Sequence, residues 1–125
     1  MNQPCAMAGT KHVVAVLDED PAVQASLKFL LEIEGFEVRI YDSANGLLDD
    51  ADLRTFYCLI VDFHLRKMNG LDVVAKLRER QISTRAILVT GHPRAEVCER
   101  AAALGIQVVV KPFLGPELLE CIRVS

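Results

Sequence analysis

The sequence predicts an α/β fold in which five parallel strands form a doubly wound sheet with helices on both faces. Three observations predict it. Short runs rich in β-branched residues alternate with segments of helical period from Lys11 onward. Three of those runs, Val13–Leu17, Cys58–Val61 and Ala86–Val89, are apolar without alternation, as strands buried on both faces must be. The segments between them carry helical stripes with start and stop signals, as Asp20-Pro21 and Gly35 give the first.

Taken in order, the predicted strands are His12 to Leu17, Phe36 to Tyr41, Tyr57 to Asp62, Arg85 to Thr90 and Gln107 to Val110. The three uniformly apolar ones belong at the centre. Val23, Leu27, Leu30 and Leu31 form one helical stripe, opened by Asp20 as a cap with Pro21 at the first helical position and stopped by Gly35. Ser43 to Leu53, with Gly46 and three aspartates, predicts only a short or mobile helix. Leu71, Val74 and Leu77 follow Gly70 on one helical face. Val97, Ala101 and Leu104 lie between Pro93 and Gly105, and Leu114, Leu118, Cys121 and Ile122 form the last stripe. Residues 1–10 read as a loosely ordered tail and 11–125 as one domain.

Bulk properties narrow the function classes. A chain of 125 residues, 51% hydrophobic and 25% charged, has room for one core and contains no apolar run of membrane-spanning length. The first ten residues lack a signal-peptide pattern, so a cytoplasmic location is expected, with no membrane partner. A net charge of −3 argues against direct nucleic-acid binding. The four cysteines, Cys5, Cys58, Cys98 and Cys121, form no CxxC pair and read as plain thiols rather than a zinc or redox site.

In parallel α/β sheets ligands bind beyond the carboxyl ends of the strands, so the residues closing each strand are the candidate chemistry. Those residues are Asp18-Glu19-Asp20, Asp62, Thr90 and Lys111-Pro112. In isolation the acidic triplet is a solvated turn and helix cap, Thr90 a strand-end cap and Lys111 a surface amine. Asp62 at the end of Leu59-Ile60-Val61 changes that reading, because adjacent carboxylates repel unless a cation intervenes. Magnesium suits such a site, binding through a few carboxylate and carbonyl oxygens, and Mn2+ is the alternative ion. With the metal in place, Asp62 can act as a nucleophile toward phosphorus, Thr90 can hydrogen-bond a phosphoryl oxygen and Lys111 can neutralise another.

These residues resemble the receiver domain of response regulators in two-component signalling, a flavodoxin-like (βα)5 fold of the CheY-like superfamily. The resemblance rests on Val-Leu-Asp-Glu-Asp-Pro-Ala-Val at 16 to 23, Leu-Ile-Val-Asp at 59 to 62 with Gly70 eight residues on, Ile-Leu-Val-Thr-Gly-His at 87 to 92 and Val-Lys-Pro-Phe at 110 to 113. It implies Asp62 as phosphoacceptor, assisted by Thr90 and Lys111. It implies Asp18, Glu19, Asp62 and the backbone carbonyl of His64 as the metal ligands, and a cis peptide between Lys111 and Pro112. It further implies a signalling domain rather than an enzyme turning over a substrate. The donor would be a sensor histidine kinase or phosphotransfer protein docking near Val23, Ser26 and the loop beyond Lys111. The recipient would be a downstream protein or effector domain reading the last two helices and the fifth strand, and a phosphorylation-dependent dimer is compatible.

Several positions depart from the family pattern. Glu19 stands where Asp is usual, and Leu65-Arg66 where Met-Pro is usual, which removes a rigid φ and adds a cation near the site. The segment from Gly105 to Lys111 is one residue short, and Val108 replaces the aromatic common three positions before the lysine. No effector domain is expected after Ser125. His64 and His92, two residues past Asp62 and Thr90, are expected to rim the pocket, either as bare loop residues or modulating loss of the phosphoryl group as they titrate near neutral pH. Capture of a transition metal by this pair with the acids is a third reading. The competing functions are a phosphorylation-independent pseudo-receiver and a DxD-type phosphohydrolase with Asp18 as nucleophile. A flavodoxin is disfavoured because an acidic turn after the first strand repels phosphate.

Overall fold

A computed structural model of the chain describes residues 12–111 and 117–123. The strands are β1 (Val13–Leu17), β2 (Glu37–Tyr41), β3 (Cys58–Asp62), β4 (Ala86–Thr90) and β5 (Gln107–Val110), all parallel in the order β2-β1-β3-β4-β5. Every residue of β3 and β4 is buried, as their unbroken apolar composition predicts for central strands. Four of the five strands begin one residue later than the sequence pattern suggests. His12, Tyr57 and Arg85 each contribute one backbone hydrogen bond at the mouth of the ladder, to Glu37, Val13 and Leu59, without joining the regular pairing.

The helices are α1 (Pro21–Ile33), α2 (Ala44–Leu48), α3 (Gly70–Glu79), α4 (Ala95–Ala103) and α5 (Glu117–Arg123), with a 3-10 turn at Leu53–Thr55. Asp20 caps α1 by accepting from the Ala22 amide at 2.9 Å, with Pro21 at the first helical position, and Gly35 ends the segment at φ 95°. The segment from Ser43 onward makes only five helical residues, capped by Ser43. Asp50 there binds the Tyr41 hydroxyl and the Asp52 amide, so its carboxylates serve turns rather than a longer helix. The predicted role of Leu114 lies outside the described residues, as do the 1–10 tail and the Lys111–Pro112 peptide.

Alternate strand residues feed two apolar layers. Val14, Val16, Ile60, Ile87 and Val89 pack with Leu27 and Leu31 of α1 and Leu118 and Ile122 of α5. Ala15, Leu17, Leu59, Val61 and Leu88 pack with Leu71, Val74 and Leu77 of α3 and Val97 and Ala101 of α4. Val108 packs half-buried against this second layer, while Val110 is 47% exposed. Cys58 is buried, Cys98 exposed and Cys121 intermediate, all as free thiols. Burial pushes the Cys58 thiol up to about 11, so it is inert at neutral pH, in keeping with a plain core residue.

Gly70 fixes how closely α3 approaches the carboxyl end of β3. A Cβ there would lie 2.5 Å from the Asp62 carbonyl oxygen, 2.8 Å from Leu88 Cδ1 and 2.9 Å from Val61 Cγ1. Its amide meanwhile donates to the Phe63 carbonyl at 3.0 Å, closing the loop between β3 and α3. Gly70→Ala is therefore expected to destabilise the fold by about 1–3 kcal/mol, the usual cost of overpacking, as a lowered urea midpoint at unchanged slope.

Candidate functional site

The site is assembled where four strands end. Asp18 follows β1 and is held in place from three sides. Its amide donates to the Tyr41 carbonyl at 3.1 Å, its carbonyl accepts from Gln24 Nε2 at 2.5 Å, and its Oδ1 accepts from the Asp20 amide at 2.8 Å. Asp62 closes β3, and Thr90, fully buried, closes β4. Lys111 follows β5, its amide donating to the Thr90 carbonyl at 2.9 Å. Parallel pairing brings these ends to one edge because the register carries Val61 beside both Leu17 and Leu88, and Thr90 beside Val110.

The Lys111 amine lies 3.0 Å from Asp62 Oδ1 and 3.4 Å from Asp18 Oδ2, between two carboxylates only 6% and 3% exposed. Its approach to Asp62 Oδ1 satisfies the charge but not the direction of a hydrogen bond. That buried oxygen therefore has no hydrogen-bond partner among the described residues. Burial raises the Asp62 carboxyl above the usual carboxylate range; Lys111 opposes the shift and the Asp18 charge adds to it. For Lys111 burial works against the ammonium, but Asp62 and then Asp18 outweigh it and hold the amine above the ordinary lysine value.

Thr90 Oγ1 accepts from the His92 amide at 3.1 Å, which leaves its own hydrogen to donate elsewhere. The His64 and His92 rings are both exposed, with centroids 6.2 Å apart, and His64 also packs edge-on against Phe63. Among the described residues no three His, Cys, Asp or Glu side chains cluster closely enough to hold a metal ion, so the transition-metal reading gains nothing from the histidine pair.

Glu19 is where the structure departs from the arrangement the resemblance implies. Its carboxylate does not join Asp18 and Asp62. Its Oε2 accepts from the Arg66 amide at 2.9 Å and its Oε1 lies 3.5 Å from Arg66 Nε, and both residues line a cleft of about 320 Å3 beside the β2–α2 and β3–α3 loops. The cation at position 66 is visible in the sequence; its partner is not, because the contact joins residues 47 apart.

Comparison with known proteins decides the family. Residues 14–123 match the response regulator receiver domain. The chain belongs to that family. It is 33% identical over 98% of its length to the response regulator protein TodT of Pseudomonas putida F1, and 30% identical over 91% to the transcriptional regulatory protein FixJ of Bradyrhizobium diazoefficiens. The chain spans 56% of the length of each of these curated relatives. Among solved structures it resembles the response regulator TrrA of Thermotoga maritima in complex with Mg2+ and beryllium fluoride, with a TM-score of 0.76 and 25% identity over 87% of this chain and 94% of that one. Receiver domains are signalling domains of two-component systems rather than enzymes of substrate turnover. None of the helices among the described residues is long and apolar enough to cross a membrane.

Because burial raises the Asp62 pKa on folding, this carboxyl holds its proton more firmly in the folded domain than in the unfolded chain. Its own contribution to stability declines as pH rises from the ordinary carboxylate value through the raised one. Asp62→Asn cannot ionise and is expected to melt at a higher temperature than the parent at neutral pH in metal-free buffer. The gap should close below about pH 4, where the unfolded carboxyl also protonates. Equal melting temperatures at neutral pH would mean that the Lys111 ion pair fully offsets burial.

Proposed function

We propose that this receiver domain, taken as residues 11–125, accepts a phosphoryl group on Asp62 and passes the signal to a partner as a change of conformation. The observation that supports this reading is the Lys111 amine set 3.0 Å and 3.4 Å from two buried carboxylates at the carboxyl edge of the sheet. That arrangement keeps an anionic nucleophile poised in a region already balanced for added negative charge. The donor is a phosphohistidine of a sensor kinase or phosphotransfer protein. An Asp62 oxygen forms its bond to phosphorus as the bond from phosphorus to the donor imidazole nitrogen breaks, and that nitrogen keeps the electron pair. The Thr90 hydroxyl, free to donate, binds one phosphoryl oxygen, and Lys111 shifts from carboxylate to phosphoryl oxygen.

The donor chemistry beside Asp62 suits a divalent ion, although Asp18 and Asp62 alone of the implied acids are gathered there. The buried Asp62 Oδ1, without a hydrogen-bond partner among the described residues, and the adjacent Asp18 carboxylate are hard oxygen donors of the kind Mg2+ or Mn2+ takes. The ligands would be Asp18, Asp62, the His64 carbonyl and Glu19 once its carboxylate leaves Arg66. Such an ion supplies charge neutralisation to the incoming phosphoryl oxygens. TrrA, solved with Mg2+ and beryllium fluoride, supports the assignment by kinship. To His64 and His92, whose rings are exposed and 6.2 Å apart, we assign the control of hydrolysis of the acyl phosphate.

Output follows as a two-state bias rather than turnover. A downstream effector reads the face made by α4, β5 and α5, and TodT and FixJ, regulators longer than this chain, support the presence of such a recipient. The half-buried Val108 there replaces an aromatic readout with a smaller packing change. One observation favours a second reading, a docking module that works without phosphorylation: Glu19 is held by Arg66, away from the carboxylate pair.

Incubation with Mg2+ and a small phosphodonor, followed by intact mass measurement and site mapping, separates these readings. One phosphoryl group on Asp62 is expected, absent in Asp62→Asn and formed at least about tenfold more slowly in Lys111→Ala, since that substitution removes a charged partner of the transferring group. Modification at Asp18 would favour the phosphohydrolase chemistry instead. No modification by any donor would favour the docking module.

A further inference from the structure

We propose that Arg66 is a positioning residue that holds the Glu19 carboxylate off the Asp18–Asp62 pair, so that metal binding must first open this clasp. The inference rests on the metal reading given above. Both oxygens of Glu19 are engaged by one residue, Oε2 with the Arg66 amide at 2.9 Å and Oε1 with its guanidinium at 3.5 Å. Two features of the chain make the hold possible. Glutamate is one methylene longer than aspartate and so reaches the β3–α3 loop. Residue 66 also offers both an amide and a cation, where a proline would have neither.

The energetics give the clasp a regulating strength rather than a blocking one. The Arg66 side chain is 89% exposed and that of Glu19 26%, so their ion pair is screened by solvent and weak. A divalent ion beside two buried carboxylates offers Glu19 a stronger partner. Metal binding then proceeds with Glu19 swinging from the loop into the site, and the free energy of leaving Arg66 is subtracted from the affinity. The same swing releases the Arg66 amide, so that occupancy of the metal site is transmitted to the β3–α3 loop.

The test is a double-mutant cycle on the full chain, titrating Mn2+ by the spin resonance of the free ion at constant ionic strength. Arg66→Ala is expected to tighten Mn2+ binding about two- to fivefold, the span that an exposed ion pair can move. Lys67→Ala removes the same charge from the same loop without touching Glu19 and measures the general electrostatic effect, which should be smaller. In a Glu19→Asp background, where the shorter carboxylate cannot reach the loop, Arg66→Ala should do no more than Lys67→Ala. A parallel Mg2+ titration by amide NMR should shift the Arg66 resonance of the parent chain as its hydrogen bond to Glu19 is lost. Equal effects of the two alanine variants, or an equal effect of Arg66→Ala in both backgrounds, would overturn the clasp while leaving the metal reading intact. Failure of every variant to bind Mn2+ would remove the metal reading itself, and the clasp with it.

Discussion

Two carboxylates buried side by side at the end of a parallel sheet cannot both stay charged without a cation, and the arrangement of this site follows from that constraint. Asp18 and Asp62 are each almost wholly removed from solvent, and the Lys111 amine reaches both. The pull is mutual. Burial and Asp18 drive the Asp62 pKa upward, while the two acids hold the lysine ammonium above its ordinary value despite its own partial burial. A group placed under such opposing influences is sensitive to any new charge, which is the physical content of a switch.

The sheet makes this concentration of charge tolerable. Its central strands supply a rigid apolar base in which alternate residues fill two separate layers, so the polar ends are held by packing rather than by one another. Asp18 is fixed by backbone contacts to β2 and by Gln24 of α1. The carboxyl end of β3 is fixed by Gly70, whose missing side chain lets α3 lie against the Asp62 carbonyl. Glu19, Arg66, His64 and His92 sit in the loops around this base.

Elements were legible in the sequence wherever burial dictates composition. The apolar runs of β1, β3 and β4 place those strands at the centre, and the Asp20-Pro21 cap and Gly35 stop bound α1 closely. The weakness of the second helix is equally readable, because Gly46 and the aspartates prefer turns, and the structure makes only five helical residues there. Strand starts were less legible, since residues such as Tyr57 and Arg85 bond on one side only and leave no pattern of their own. Asp62, Thr90 and Lys111 were predictable as neighbours because strand order alone brings their ends together.

The side-chain pairing of Glu19 was not readable in this way. The residue type and the adjacent cation are both visible, yet whether the carboxylate turns toward Asp62 or toward Arg66 depends on the loop after β3 and on rotamers that no local periodicity encodes. The sequence by itself determined the layers, the strand ends and the identities of the charged residues gathered there, because hydrophobic burial writes a period into the chain. Only the tertiary structure decided which charges touch: that Lys111 bridges two aspartates, that an oxygen of Asp62 has no hydrogen-bond partner among the described residues, and that Glu19 is held by Arg66. Contacts between residues far apart in the chain are settled by distances of a few tenths of an ångström, and a one-dimensional pattern carries no such information.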